Sequence, residues 1–128
     1  MKKIICSSEA PAPVGPYSQA VSVGQILFVS GQIALDPHSG KLVIDTIEEE
    51  THQVMKNLSA IVQAAGVTME EVVKCSVFVK DMQLYERINM VYAQYFNEAT
   101  APARELIEVA NLPKYVNVEI SAIVEQVN

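Results

Sequence analysis

Short hydrophobic runs, separated by residues typical of turns, mark the first third of the chain as a β region. Gly24 lies between two such runs and predicts a tight hairpin, and the Pro and Gly within residues 36–40 predict a second turn. A Pro-rich stretch at residues 11–16 interrupts this region, because proline cannot continue a central strand. The predicted strands cover residues 3–6, 18–23, 25–33 and 41–44.

A helix is predicted between Thr46 and Gly66. Thr46 followed by Glu49 is typical of a capping box, in which two side chains satisfy amides that have no partner inside the helix. From Ile47 onward, apolar residues recur at three- and four-residue spacing and form one stripe. Gly66 is expected to end the helix.

The chain beyond Gly66 predicts a strand, a second helix and two more strands. Every second residue of the strand at 72–80 is apolar, which is typical of a buried sheet face. Those residues are Val73, Cys75, Val77 and Val79. Asp81 is expected to cap a helix that runs to about Phe96, and the last strands are predicted over residues 103–109 and 116–124. This order indicates an α+β fold with both helices on one face of the sheet.

Composition and charge indicate a single globular domain and argue against some classes of partner. The chain has 128 residues, 50% of them hydrophobic and 19% charged, so we expect one domain over residues 1–128 with a real core. The net charge of -6 argues against a nucleic-acid partner, which needs clustered Lys and Arg. No stretch resembles a signal-peptide core or a membrane-spanning helix, which predicts a cytoplasmic protein with no membrane contact.

A metal centre is not expected. Cys6 and Cys75 are too few for a metal or disulfide framework, and they are predicted to stay as thiols in a reducing compartment. His38 and His52 have no Cys or His partner at ligand spacing.

Arg104 and Glu119 are the first candidates for chemistry, because both interrupt segments that are otherwise expected to be buried. If their strands are neighbours, the two side chains can meet. One interpretation is then a structural ion pair across the sheet. The other is an arginine that binds a carboxylate, with a carboxylate general base beside it. Spacing does not choose between them.

Two loop-and-strand segments are further candidates. A rigid turn at residues 15–20 delivers the hydroxyl of Tyr17, and Gly31 inside a strand indicates a bulge or a close approach to a ligand. The alternatives are a plain turn with a packed aromatic and a glycine that packs under a helix. Other residues at helical spacing are expected to serve the core or an interface: Met82, Tyr85, Met90, Tyr92 and Tyr95.

Taken in order, six segments closely resemble the Rid or YjgF-type reactive-intermediate deaminase family. They are GPYSQA (15–20), SGQI (30–33), VFVKDM (77–82), PAR (102–104), VANLPK (109–114) and VEI (118–120). The resemblance implies a chorismate-mutase-like α+β fold, assembled as a homotrimer with active sites between subunits. It also implies hydrolysis of enamine and imine intermediates, such as 2-aminoacrylate, to 2-keto acids and ammonia, without a metal or organic cofactor.

The resemblance assigns roles residue by residue. Arg104 corresponds to the arginine that holds the substrate carboxylate, Glu119 to the acid that positions and activates the attacking water, and Tyr17 to the tyrosine of the catalytic pocket. The implied substrate-binding residues are Arg104, Tyr17, Ser30, Gly31, Leu106 and Asn89.

The chain departs from the family where Glu105 and Leu106 follow the arginine. The family usually has a small residue at the first position and often a cysteine at the second. Residue 106 is expected to act through its backbone, which Leu106 also offers. Glu105 should point to the sheet face opposite Arg104; if it entered the pocket, it would compete with the substrate for Arg104.

Two other functions remain open from the sequence. One is a trimer that binds or senses small carboxylates without turnover, which Arg104 would serve equally well, so Glu119 is the residue that distinguishes it. The weaker alternative is an endoribonuclease or translation inhibitor, which the acidic charge disfavours.

Overall fold

A computed structural model describes residues 1–126 of the chain. This part contains six strands and two α-helices joined by short 3-10 turns. The strands are β1 (Lys3–Ile5), β2 (Ala20–Val23), β3 (Ile26–Gln32), β4 (Val72–Val79), β5 (Ala103–Glu108) and β6 (Val118–Glu125), and the helices are α1 (Ile47–Ala64) and α2 (Tyr85–Tyr92).

All six strands belong to one mixed sheet in the order β1-β2-β3-β6-β4-β5. Neighbouring strands are antiparallel except for β4 and β5, which run parallel and are connected through α2. The last strand, β6, is therefore inserted at the centre of the sheet, and β4 separates it from β5.

One face of the sheet is buried under the helices. Leu27 of β3, Val77 of β4 and Ile120 of β6 are fully buried beneath the apolar stripe of α1, which includes Leu58. The α+β fold with both helices on one face is confirmed. The opposite face carries five apolar side chains that are each 44–46% exposed, namely Val23, Ile26, Phe28, Val73 and Ile107.

The first helix begins and ends where the sequence predicts. The Thr46 hydroxyl accepts a hydrogen bond from the Glu49 amide at 3.1 Å, so Thr46 is its N-cap. The helix ends at Ala64, two residues before Gly66 with its positive φ of 87°. The complete capping box, with both reciprocal contacts, lies at Thr68 and Glu71, where it opens a 3-10 turn before β4.

Three predictions about extended segments are corrected. Residues 41–44 form no strand, because only one bridge, between Leu35 and Leu42, closes the loop. The β4–β6 register shifts between Val72 and Lys74, so Val72 takes the buried position and Val73 points to the open face. The last strand begins at Val118 because residues 113–115 form a 3-10 turn.

The second helix is also shorter than predicted. Asp81 accepts a hydrogen bond from the Gln83 amide, but it caps a 3-10 turn over Met82–Leu84 and not the α-helix itself. A second 3-10 turn, Ala93–Tyr95, follows α2. The predicted helix of residues 81–96 is therefore one helical stretch with tight turns at both ends, which is common at helix termini.

Glu50 of α1 fixes the start of β6. Its carboxylate is fully buried and accepts hydrogen bonds from the Asn117 amide at 2.7 Å, the Asn117 side chain at 2.8 Å and the Val118 amide at 3.2 Å. The sequence marks Glu50 as part of the acidic first turn of α1, and its place three residues after Ile47, at the spacing of the buried stripe, is the signal for its burial. These bonds hold the backbone directly before Glu119.

Candidate active site

Glu119 opens onto a cleft of about 450 Å³, here called the Glu119 cleft. Its walls are the Pro-rich segment of residues 11–17, the C-terminal end of β3 and the turn before β6. Tyr17, Ser30 and Gly31 line it together with Glu119, so the structure brings four of the predicted site residues together. The volume suits a small ligand.

Gly31 makes room for the Glu119 carboxylate. The β3–β6 register shifts between Val29 and Gln32, which is a bulge at Ser30 and Gly31. A Cβ atom on residue 31 would lie 2.5 Å from Glu119 Oε2 and 3.0 Å from Glu119 Cδ, closer than real Cβ atoms approach. The expected bulge is confirmed, and the group that lies close to this glycine is the Glu119 side chain. The approach of a ligand to Gly31 stays a prediction.

The Glu119 carboxylate is half-buried, and burial raises its pKa above the ordinary value of 4.5. Among residues 1–126, no basic group lies within 4.0 Å of it. A carboxyl that is desolvated and has no cation beside it holds its proton more strongly than usual. Glu119 is therefore suited to accepting a proton inside the cleft.

Gln19 holds the Pro-rich wall of the cleft in place. Its buried amide donates to the carbonyls of Ser7, Ala10 and Pro11 at 2.8–3.2 Å, and its oxygen accepts from the Ser7 amide at 2.6 Å. The sequence analysis did not assign this role. In the sequence, the available signal for this role is a glutamine next to an apolar strand. Tyr17 lies in the wall that Gln19 supports, with 53% of its surface exposed.

Arg104 lies in a second, open cleft of about 760 Å³, here called the Arg104 cleft. Its Nη1 donates to Asn89 Oδ1 at 2.7 Å, and its Nη2 donates to the Tyr85 hydroxyl at 3.0 Å. The guanidinium carbon is 4.9 Å from the centre of the Tyr92 ring. Leu106, two residues further along β5, lies on the same face and packs against the core.

The two clefts are separate in one chain. Arg104 pairs with Cys75 and shares its helix-facing side, whereas Glu119 alternates with the buried Val118 and Ile120 and points to the open side. Strand β4 also lies between β5 and β6, which separates the two backbones by about 10 Å, or two strand spacings. The hypothesis that neighbouring strands bring Arg104 and Glu119 together is therefore wrong within a single chain.

A known family matches most of the chain. The model of the Endoribonuclease L-PSP family matches residues 7–126. The chain belongs to this family. The resemblance found in the sequence is thereby confirmed.

Relatives in this family include named enzymes. A RutC family protein of Pyrococcus horikoshii is 47% identical over 123 residues, covering 96% of this chain and 97% of that protein. The 2-iminobutanoate/2-iminopropanoate deaminase of Mus musculus is 44% identical over 126 residues, covering 98% and 93%. The crystal structure of E. coli TdcF with bound serine has a TM-score of 0.92 and 38% identity, covering 98% and 99%.

Glu105, the departure from the family pattern, points away from Arg104. Its carboxylate is 3.1 Å from Lys74 Nζ and accepts a hydrogen bond from the Ser76 hydroxyl, on the open face of the sheet. The Ser76 hydrogen bond and then Lys74 lower the pKa of Glu105. The expected orientation is confirmed, and within one chain Glu105 does not compete for the guanidinium of this L-PSP family member.

Two features are absent from residues 1–126. No group of three His, Cys, Asp or Glu side chains is placed to hold a metal ion. No helix in this part of the chain is both long and apolar enough to span a membrane.

Gly31→Ala is expected to reduce activity more than stability. The new methyl group would displace the Glu119 carboxylate, which is the mobile end of a side chain, so the fold can adjust at a cost of about 1–3 kcal/mol. Turnover on an imine substrate should fall at least about tenfold, because the displaced carboxylate can no longer accept a proton at the same place in the cleft. Gly24→Ala is the control for lost stability alone, because its positive φ of 59° strains an alanine while the new Cβ would meet nothing within 4 Å, so it should lose stability but keep its turnover. Gly31→Ala with wild-type turnover would contradict the placement of Glu119.

Proposed function

We propose that this L-PSP family member hydrolyses reactive 2-imino and 2-enamino acids, such as 2-aminoacrylate, to 2-keto acids and ammonia. The observation that carries the proposal is the Glu119 carboxylate: half-buried, with a raised pKa, and given access to a cleft by Gly31. The name of the mouse relative supports this reaction for a chain of the same family.

The chemistry needs few groups. Arg104 binds the substrate carboxylate through charged hydrogen bonds and so orients the molecule. Once the nitrogen of an imine is protonated, its carbon is electrophilic, and an enamine reaches that form by taking a proton on carbon. Water then attacks the carbon while Glu119 accepts a proton from the water. Glu119 then returns that proton to the nitrogen of the resulting amino alcohol. The C–N bond breaks as the hydroxyl oxygen forms the C=O bond, and the hydroxyl proton passes to the departing ammonia, so the products are the 2-keto acid and ammonium.

Arg104 and Glu119 can act on one small molecule only if two chains meet. The proposed assembly is a homotrimer in which the Arg104 cleft of one subunit faces the Glu119 cleft of its neighbour. The five half-exposed apolar side chains on the open sheet face support an assembly, because a monomer gains nothing from exposing them together. Tyr17, Ser30, Asn89 and the Leu106 backbone would complete the wall of the shared site.

A trimer that binds small carboxylates without turnover is the second candidate. The structure of E. coli TdcF with bound serine favours it, because serine is an amino acid and not an imine. Arg104 serves both functions, whereas only turnover requires Glu119. An RNA-directed function has less support, since the chain carries a net charge of -6 and phosphate backbones attract cationic surfaces.

Arg104→Ala tests the proposed function. In an assay of pyruvate formation from enzymatically generated 2-aminoacrylate, kcat/KM should fall about 10- to 100-fold or more, because hydrogen bonds to the substrate carboxylate are lost. The trimer should persist in size-exclusion chromatography. Arg87→Ala is the matched control, since Arg87 pairs with Glu48 on the helix surface, away from both clefts. Equal acceleration by Arg104→Ala and Arg87→Ala would refute the role of Arg104.

The pH dependence of kcat/KM tests Glu119, because that ratio reports the ionisation of groups in the free enzyme. Glu119 acts as a base in its deprotonated form, and its pKa is raised, so activity should increase with pH through a midpoint above 4.5. Glu119→Gln should lower kcat by about 10²- to 10⁴-fold with a smaller change in KM, which is the usual contribution of a general base. A midpoint at or below 4.5, or a variant that changes only KM, would show that Glu119 is not the base.

A further inference from the structure

Tyr85 contacts Arg104 through its hydroxyl. Tyr85 is the first residue of α2, and its hydroxyl accepts a hydrogen bond from Arg104 Nη2 at 3.0 Å. Asn89 follows one helical turn later and accepts from Arg104 Nη1 at 2.7 Å. Residues four apart lie on the same side of a helix, so a single face of α2 holds both ends of the guanidinium.

This arrangement leaves Arg104 able to bind a carboxylate. A guanidinium has five N–H donors, and a bidentate carboxylate uses two of them. Tyr85 and Asn89 take one each, so three donors remain. The Tyr92 ring covers the guanidinium at 4.9 Å from its centre, which adds a cation–π contact. The group is therefore restrained on several sides while its remaining donors stay free.

We infer that Tyr85 is a positioning residue for Arg104, and that its hydroxyl holds the guanidinium ready for the substrate carboxylate. The inference rests on the proposed function, which supplies the identity of the substrate that Arg104 binds. An unrestrained arginine would lose side-chain conformational entropy when the ligand binds. Because the contacts from α2 already restrain Arg104 in the folded protein, ligand binding costs less entropy. Tyr85 contacts the group that binds the carboxylate, and it lines no part of the Glu119 cleft, so its effect belongs to affinity and not to the chemical step.

Tyr85→Phe tests the inference because it removes only the hydroxyl. The KM for the imine and the Kd for 2-oxobutanoate, a 2-keto acid, should both rise about two- to tenfold, the range for one hydrogen bond. The kcat should stay within about twofold, a split that general destabilisation does not produce. Tyr95→Phe is the matched control, since its hydroxyl bonds to His52 Nδ1 at 2.9 Å and not to Arg104. Its KM and Kd should equal those of the wild type.

Calorimetric titration with 2-oxobutanoate separates this inference from the proposed function, because binding needs no turnover. If the wild type binds but does not hydrolyse imines, the proposed function fails and the ratio of the two Kd values still decides the role of Tyr85. Equal Kd values for the wild type and Tyr85→Phe would overturn the inference. So would an equal loss of affinity in Tyr95→Phe. If the wild type shows no saturable binding, Arg104 is not a carboxylate site, and both proposals are overturned.

Discussion

The alternation of side chains along a β-strand is the constraint on which the rest of this structure depends. It directs Arg104 to the helix-covered face of the sheet and Glu119 to the open face, with strand β4 between their backbones. No side-chain rotation carries a group through a sheet whose core is filled. A single chain therefore presents two incomplete clefts, and the proposed reaction needs a second chain to combine them.

Several polar contacts in the interior position Arg104 and Glu119. Glu50 holds the backbone before Glu119 through three hydrogen bonds, and Gly31 leaves the space that the Glu119 carboxylate occupies. On the other face, Tyr85 and Asn89 hold Arg104. Buried polar groups are costly unless they are satisfied. Both candidate groups are thus oriented by rigid elements, which is the arrangement that binding and catalysis require.

Local patterns in the sequence predicted the local structure well. The apolar stripe and the Thr46 cap located α1, and the glycine inside β3 indicated the bulge at Gly31. The pattern could not give the order of the strands, which depends on contacts between distant residues, so whether the strands of Arg104 and Glu119 are neighbours stayed open until the structure placed β4 between them. The bulge at the start of β4 also places Val73 on the open face of the sheet, opposite to the face predicted from its alternation with Cys75. Tyr85 has the helical spacing of a core residue, and its hydrogen bond with Arg104 becomes visible only in the folded structure. The trimer and the shared site stay predictions.

The proposed active site takes Arg104 from one chain and Glu119 from another. Subunit complementation tests it most directly: Arg104→Ala and Glu119→Gln chains, each inactive alone, are unfolded together in equal amounts and reassembled. In a closed ring of subunits, random mixing gives about one quarter of the sites both native residues, so about one quarter of wild-type activity should return. If the mixture stays as inactive as its parents although mixed trimers form, each site lies within one chain and the account is contradicted.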